Sequence, residues 1–264
     1  MMKESKSYRS LQILNVLFFI AVVAVNAMAN LLPINGYTTG ELSDMYPNLF
    51  VPAGFTFSIW GLIYILLLIF CIYQLKGIIN GNEVRKEVLD KIGILFIVTC
   101  IFNISWIFAW HYLQVGLSII VMLAFLVTLI ILHRSLKIGI EATSKGEKYA
   151  VHIVFSIYLG WISIATIANI TAGLVNANWD RFGLSEVFWT VTVIIIGTII
   201  TLLMLYKYND IFYSLVPIWA FIGIISKRLS QGGAEAKPIV TTCIACIVVI
   251  AIGILLRAKK WFEY

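Results

Sequence analysis

The chain has 264 residues, of which 61% are hydrophobic and 12% are charged. Soluble domains are about 25% charged, and the long apolar stretches of this chain cannot supply the polar exterior that a soluble fold needs. The formal net charge of +6 could suit nucleic acid, but in a protein with several membrane spans it is typical of Lys and Arg kept on the cytoplasmic side. We therefore expect an integral membrane protein whose partner is the lipid bilayer and not nucleic acid.

Eight apolar stretches are candidates for crossing a bilayer as helices, which takes about 20 residues. In chain order they are 11–32, 54–75, 92–112, 115–133, 150–172, 187–206, 211–226 and 238–256. The seventh is short and contains Pro217, so a kinked span and a re-entrant segment are both open. We expect eight spans, because stretch 211–226 has no charge to hold it in water, and seven spans is the alternative. These stretches predict an all-α, polytopic membrane helix bundle.

The first stretch allows a second interpretation. A basic start, an apolar run and Ala27-Met28-Ala29 resemble a signal peptide with its cleavage site. The run is longer than a usual signal core, however, and Asn26 and Asn30 lie four residues apart on one helix face, as they would in a packed helix. We expect a retained first span.

Charged residues are confined to the connections, the ends of the stretches and the termini. No Asp, Glu, Lys or Arg falls inside an apolar stretch, whereas pumps, ion channels and proton relays normally keep ionisable groups at membrane depth. The N-terminus and the loops 76–91 and 134–148 together carry eleven Lys and Arg, while the loops 33–53 and 173–186 contain only Arg181. This alternation predicts a multi-pass protein with its N-terminus in the cytoplasm. We expect it in the plasma membrane.

Three stretches combine aromatic rings with neutral polar groups at helical spacing. By stretch, the candidate ligand-binding residues are Pro52, Gly54, Phe57, Trp60 and Tyr64; Asn103, Trp106 and Trp110; and Tyr158, Trp161 and Asn169. Spacings of three and four place the rings of each stretch on one face. One interpretation is an aromatic belt at the interface with amides that join helices. The other is a site where rings stack on a flat apolar molecule and the amides donate hydrogen bonds to it.

These stretches resemble the tryptophan-rich sensory protein/translocator protein family (TspO/MBR). In that family the second helix opens with Pro, Gly and an aromatic, followed by Phe, Trp and Tyr. The third has Asn and then Trp three residues on, and the fifth has Tyr, Trp three later and Asn eight beyond that. The matching residues here are Pro52, Gly54, Phe55, Phe57, Trp60, Tyr64, Asn103, Trp106, Tyr158, Trp161 and Asn169. The resemblance covers roughly residues 10–175.

The resemblance implies a five-helix TspO-like unit over residues 1–175, followed over residues 176–264 by a membrane extension of two to three helices. It also implies a pocket within the five-helix bundle, capped by the loop 33–53, although a mobile solvated loop is an open alternative. Such a pocket would bind a hydrophobic planar molecule, a porphyrin or tetrapyrrole or a sterol, as a sensor, scavenger or carrier. We expect no required cofactor and no metal; porphyrin or haem would be a ligand, with His111 the best-placed axial group. A homodimer is left open.

Two other function classes stay open. An intramembrane enzyme acting on a lipid or porphyrin would need titratable groups near its substrate, and the candidates are Glu41, Asp44, His111, Asp180 and Glu186. A small-molecule transporter would be expected to show inverted repeats and broken helices, and only Pro217 suggests a break. We expect a binding protein rather than an enzyme.

Overall fold

The computed structural model describes residues 2–32, 34–79 and 86–263, and these form helices and connections without a strand. The helices are α1 (Met2–Leu31), α2 (Thr39–Asp44), α3 (Ile59–Ile79), α4 (Lys86–Ile92), α5 (Leu95–His111), α6 (Val115–Ser135), α7 (Lys145–Glu147), α8 (Ile153–Asn176), α9 (Glu186–Tyr208), α10 (Ile211–Gln231) and α11 (Ala236–Glu263). Short 3-10 helices cover Ile34–Gly36, Gly54–Ser58 and Arg181–Gly183, and a π-helical turn, Lys148–His152, leads into α8. The prediction of an all-α fold is confirmed.

Seven helices in the described part of the chain are long and apolar enough to cross a membrane, or eight if α4 and α5 form one span. These two helices meet at a 40° bend at Gly93, whose φ of +47° is a conformation that favours glycine. The uncertain span is therefore the third and not the seventh, because α10 is one helix of 21 residues with Pro217 inside it. The protein is an integral, multi-pass membrane protein.

The first stretch is a continuous helix from Met2 to Leu31. Near its end the Asn26 side chain donates hydrogen bonds to Val22 O and to Asn103 Oδ1, so this face packs against another helix of the protein. The interpretation as a packed first helix agrees with these bonds. The basic residue Arg85, counted in the loop 76–91, lies outside the described residues.

The helices divide into two compact units. Unit one consists of Met1–Thr39, Trp60–Ile138 and Thr143–Phe155, and unit two of Gly40–Ile59, Gly139–Ala142 and Ser156–Tyr264. Unit one thus contains α1 and α3 to α7, and unit two contains most of α8 together with α9 to α11. That residues 1–175 and 176–264 behave as separate domains remains a prediction.

In unit one, α5 packs against both α1 and α6. Its core includes three fully buried phenylalanines, Phe70, Phe96 and Phe155, with edge-to-face contacts at centroid distances of 5.0 to 6.2 Å. Such geometry is the favourable one for aromatic pairs. A side-chain hydrogen bond also joins two helices of unit one: Asn15 Nδ2 of α1 donates to Gln74 Oε1 of α3 over 2.9 Å. Shape and a few neutral hydrogen bonds hold these helices together.

In unit two, α9, α10 and α11 pack against one another around a core that includes Ile194, Phe221 and Cys243. Asp210, just before α10, is fully buried. Its carboxylate accepts a hydrogen bond from Tyr213 N, which caps α10, and another from Ser156 Oγ at 2.8 Å. Because the cap also reaches α8, it fixes α8 against the start of α10.

The loop 33–53 is hydrogen-bonded within both units. In unit one, Asn35 donates to His111 O. In unit two, the Asn48 side chain accepts from Phe50 N and Val51 N, and Leu49 N donates to Glu186 Oε1. These bonds disfavour a mobile solvated loop. A role as a lid remains a prediction.

The 3-10 helix Gly54–Ser58 lies directly against α10. Ala53 N donates to Gly223 O over 3.0 Å, and Trp219 Nε1 donates to Thr56 O over 2.9 Å. A Cβ added at Gly223 would lie 3.0 Å from Thr56 Cβ and closer still to Thr56 Oγ1. Only glycine allows this approach.

We expect Gly223→Ala to destabilise the protein by about 1–3 kcal/mol, because the added methyl group overpacks a contact with a stiff β-branched side chain. Thermal unfolding in detergent measures the effect. The matched control is Gly197→Ala on α9, where the new Cβ would meet Ile167 and Phe221 side chains only at 3.8 and 3.9 Å. The control should be neutral or stabilising by up to about 1 kcal/mol, and equal melting temperatures for the two variants would contradict the tight contact.

Candidate functional site

Four aromatic rings form a continuous series in unit one, which we call the ring ladder: Tyr64, Trp60, Trp106 and Trp110. Trp60 stacks on Tyr64 with a centroid distance of 5.7 Å, and Trp106 stacks on Trp110 at 6.1 Å. Trp60 and Trp106, 6.3 Å apart and tilted by 30°, join the two pairs. The ladder therefore brings together four of the predicted site residues.

Helical spacing explains each half of the ladder. Trp60 and Tyr64 are four residues apart on α3, and Trp106 and Trp110 are four apart on α5, so each pair lies on one helix face. Trp106 and Trp110 are buried, whereas Trp60 and Tyr64 are half-buried. The ladder thus has an interior end and an end that reaches the surface of unit one.

Asn103, one turn before Trp106 on α5, is fully buried. Its Oδ1 accepts a hydrogen bond of 2.7 Å from Asn26 Nδ2, which ties α5 to α1. This oxygen is therefore engaged within the protein, in the role that carboxamides play between membrane helices. The sequence predicts that Asn103 donates a hydrogen bond to a ligand. The structure shows that its side-chain oxygen also joins α5 to α1.

The other predicted residues belong to unit two. Phe57 and Trp161 meet edge to face with a centroid distance of 6.2 Å. Tyr158, Trp161 and Asn169 are buried on α8, while Pro52 is buried and Gly54 exposed at the start of the 3-10 helix. Within unit two the structure thus brings Phe57 to Trp161. Their role in ligand binding remains a prediction.

Unit two also contains a cavity of about 580 Å³ that we did not predict. Its walls include Trp179 and Trp189, whose ring centroids are 4.9 Å apart, together with Phe50 and the side chains at the end of α8. Trp189 Nε1 donates to Arg181 O over 2.9 Å, which holds the indole against the turn. We call this space the indole cavity.

Comparison with known families decides the classification. The profile of a family described as TSPO-like protein matches residues 12–256. The chain belongs to this TSPO-like family. The match includes α9 to α11 as well as the region in which the sequence resemblance was seen. No curated protein and no solved structure matches the chain.

In this TSPO-like protein, His111 is fully buried at the end of α5. Its Nδ1 lies 3.1 Å from Ile34 O, and its Nε2 lies 3.2 Å from Thr39 Oγ1. Because a carbonyl only accepts, the neutral ring carries its proton on Nδ1, and Nε2 accepts from the hydroxyl. Haem ligation through His111 would have to break one of these bonds, so the visible role of His111 is to hold the first loop.

The residues that sequence reasoning missed flank a turn. Trp179 and Trp189 are ten residues apart on either side of the turn Arg181–Gly183, in which Phe182 has a φ of +53°. No helical period relates them. The signal that could have found them is the density of aromatic rings in the segment 179–189, which has Trp at both ends and two phenylalanines between.

We expect the hydrogen bond between Asn26 and Asn103 to stabilise the TSPO-like fold by about 0.6 kcal/mol and at most about 1.7 kcal/mol, the average and the maximum of double-mutant cycles on such bonds in membranes. A double-mutant cycle with Asn26→Leu, Asn103→Leu and the pair, read out by unfolding in detergent, measures this coupling. Asn30, which donates to Asn26 O on its own helix, gives the matched control Asn30→Leu. Additive effects of Asn26→Leu and Asn103→Leu would contradict the proposed tie between α1 and α5.

Proposed function

We propose that this TSPO-like membrane protein binds a hydrophobic planar molecule, a porphyrin, another tetrapyrrole or a sterol-like ligand, as a sensor, scavenger or carrier. The observation that supports the proposal is the ring ladder of Trp60, Tyr64, Trp106 and Trp110. It presents neutral aromatic surface from two adjacent helices within the span of the membrane.

The chemistry of the ladder suits a flat apolar ligand. Each stacking contact between aromatic systems contributes about 0.5–1.5 kcal/mol beyond the burial of area. A ligand that is already dissolved in the bilayer can approach from the half-buried end at Trp60 and Tyr64. A charged group would gain little beside the rings, because rings and carboxamides do not compensate the loss of its hydration. The propionates of a porphyrin would therefore have to stay outside the ladder, in contact with water or lipid head groups.

Three of the five titratable groups that an enzyme could use have partners within unit two. Asp44 pairs with Lys227, Asp180 accepts from Phe182 N, and Glu186 accepts from Leu49 N. These roles favour binding over catalysis, although turnover remains a hypothesis. We further propose that the protein lies in the plasma membrane and, from the distribution of Lys and Arg, that its N-terminus is cytoplasmic. A homodimer also remains a prediction.

Titration of the purified protein with protoporphyrin IX tests the proposed function. We expect saturable quenching of tryptophan fluorescence, and a dissociation constant raised roughly 2- to 12-fold in Trp60→Leu and in Trp106→Leu, because each variant loses one stacking contact. Absorbance of the bound porphyrin gives a second measure that does not depend on the removed fluorophore.

The matched control is Trp189→Leu, which removes an indole from unit two and leaves the ladder intact. It should bind protoporphyrin as the unchanged protein does. Unchanged binding in both ladder variants, with helical content preserved, would refute the ladder as the site. Loss of binding in Trp189→Leu alone would move the site to the indole cavity.

A further inference from the structure

The last turn of α10 buries a guanidinium group. Arg228 is only 6% exposed, and its Nε–H has no hydrogen-bond partner among the residues that the structure describes. A buried donor that lacks a hydrogen bond is costly, and more so on a charged group. Such a donor calls for an explanation, and a water, an ion or a ligand that accepts its hydrogen bond is one.

Arg228 lines a pocket of about 330 Å³ in unit two, together with Asp44, Asn48, Glu186 and Lys227. Both carboxylates of this pocket already have partners. Asp44 forms an ion pair with Lys227. Glu186 Oε1 accepts from Leu49 N over 2.7 Å, and its Oε2 lies 3.7 Å from Arg181 Nη1. The acids near Arg228, Glu186 and Glu235, stabilise its charge electrostatically without forming a hydrogen bond to Nε.

The pocket adjoins the indole cavity. Pro47, Asn48 and Glu186 line both spaces, so one molecule can reach from Arg228 to the walls formed by Trp179 and Trp189. The Arg228 end carries two cations, Arg228 and Lys227, and two carboxylates, Asp44 and Glu186, whereas the other end is mainly apolar and aromatic. A polar end beside an apolar one suits an amphiphile. Because Lys227 is paired with Asp44 while Arg228 Nε has no partner among the described residues, the group that Arg228 would receive is an anionic head.

We propose that unit two binds an amphiphile whose carboxylate or phosphate head pairs with Arg228 and whose apolar body occupies the indole cavity. A guanidinium donates two parallel hydrogen bonds to such an oxyanion, a geometry that lysine cannot reproduce. Arg228 lies at the end of a candidate membrane span, a position suited to the head group of a molecule anchored in the bilayer. This site is separate from the ring ladder and does not depend on the proposed function.

Dibrominated stearic acid is a suitable probe, because bromine quenches the fluorescence of tryptophans that it touches. In an uncharged detergent, at an alkaline pH where the acid is ionised, we expect saturable quenching by the acid and much weaker quenching by its methyl ester. Arg228→Gln should weaken binding of the acid roughly 10- to 100-fold, the equivalent of a hydrogen bond to a charged group. The control Lys237→Gln makes the same change of charge at an exposed position on α11 and should leave binding unchanged.

A variant with both Trp179→Phe and Trp189→Phe should lose most of the quenching by the acid, while quenching of the ladder tryptophans by protoporphyrin persists. Equal binding of acid and ester by the unchanged protein overturns the proposal even if Arg228→Gln fails to fold. So does full affinity in Arg228→Gln. Competition by lysophosphatidate distinguishes the two sources of the oxyanion: displacement of the acid assigns the site to phosphate-bearing lipids too, and no displacement restricts it to carboxylates.

Discussion

The hydrocarbon core of a bilayer offers no hydrogen bonds, and this constraint decides where the polar groups of the protein lie. Each polar side chain within a span has to find a partner inside the chain. Thr166, Thr198 and Thr201 donate to carbonyls one turn earlier on their own helices. Asn26 donates to the Asn103 side-chain oxygen across two helices. A buried polar group with no partner among the described residues, such as Arg228 Nε, is therefore a candidate for contact with a ligand.

The same constraint explains how a ligand can be recognised within the membrane. Polar groups that hold helices together, such as the Asn103 oxygen, are no longer available to a ligand. The half-buried rings of Trp60 and Tyr64 can still be reached, because a ring stacks on a ligand without leaving a hydrogen bond unmade elsewhere. We therefore propose that the ladder recognises a ligand through its rings, and we regard the carboxamide beside them first as a structural element.

In unit two, a charged side chain is buried at the end of the candidate membrane span formed by α10. Arg228 and Glu186 lie where α10 ends and α9 begins, and the loop residues around Asn48 cover them. Charge is tolerated there because partners and head groups are within reach. The two proposals thus place a neutral aromatic site in unit one and an anion-binding site in unit two, each suited to its local chemistry.

Much of the fold could be predicted from the sequence, because apolar stretches of sufficient length have few alternatives to a membrane helix. Ring pairs within one helix, such as Trp106 and Trp110, could be predicted from their spacing. Contacts between helices could not, since nothing in the sequence indicates that Asn26 faces Asn103. The ends of helices could not be predicted accurately either. The apolar stretch ends at residue 226, but α10 continues through Lys227 and Arg228 to Gln231, because charged residues are stable at the end of a span. The indole cavity depends on the turn Arg181–Gly183, and a turn leaves no helical repeat in the sequence from which its geometry could be predicted.

The most direct test of the central claim is a cryo-electron microscopy structure of the protein with protoporphyrin bound. The account predicts density for the flat macrocycle against the ring ladder, parallel to the indole of Trp60 or Trp106. Density in the indole cavity between Trp179 and Trp189, with none at the ladder, would contradict it.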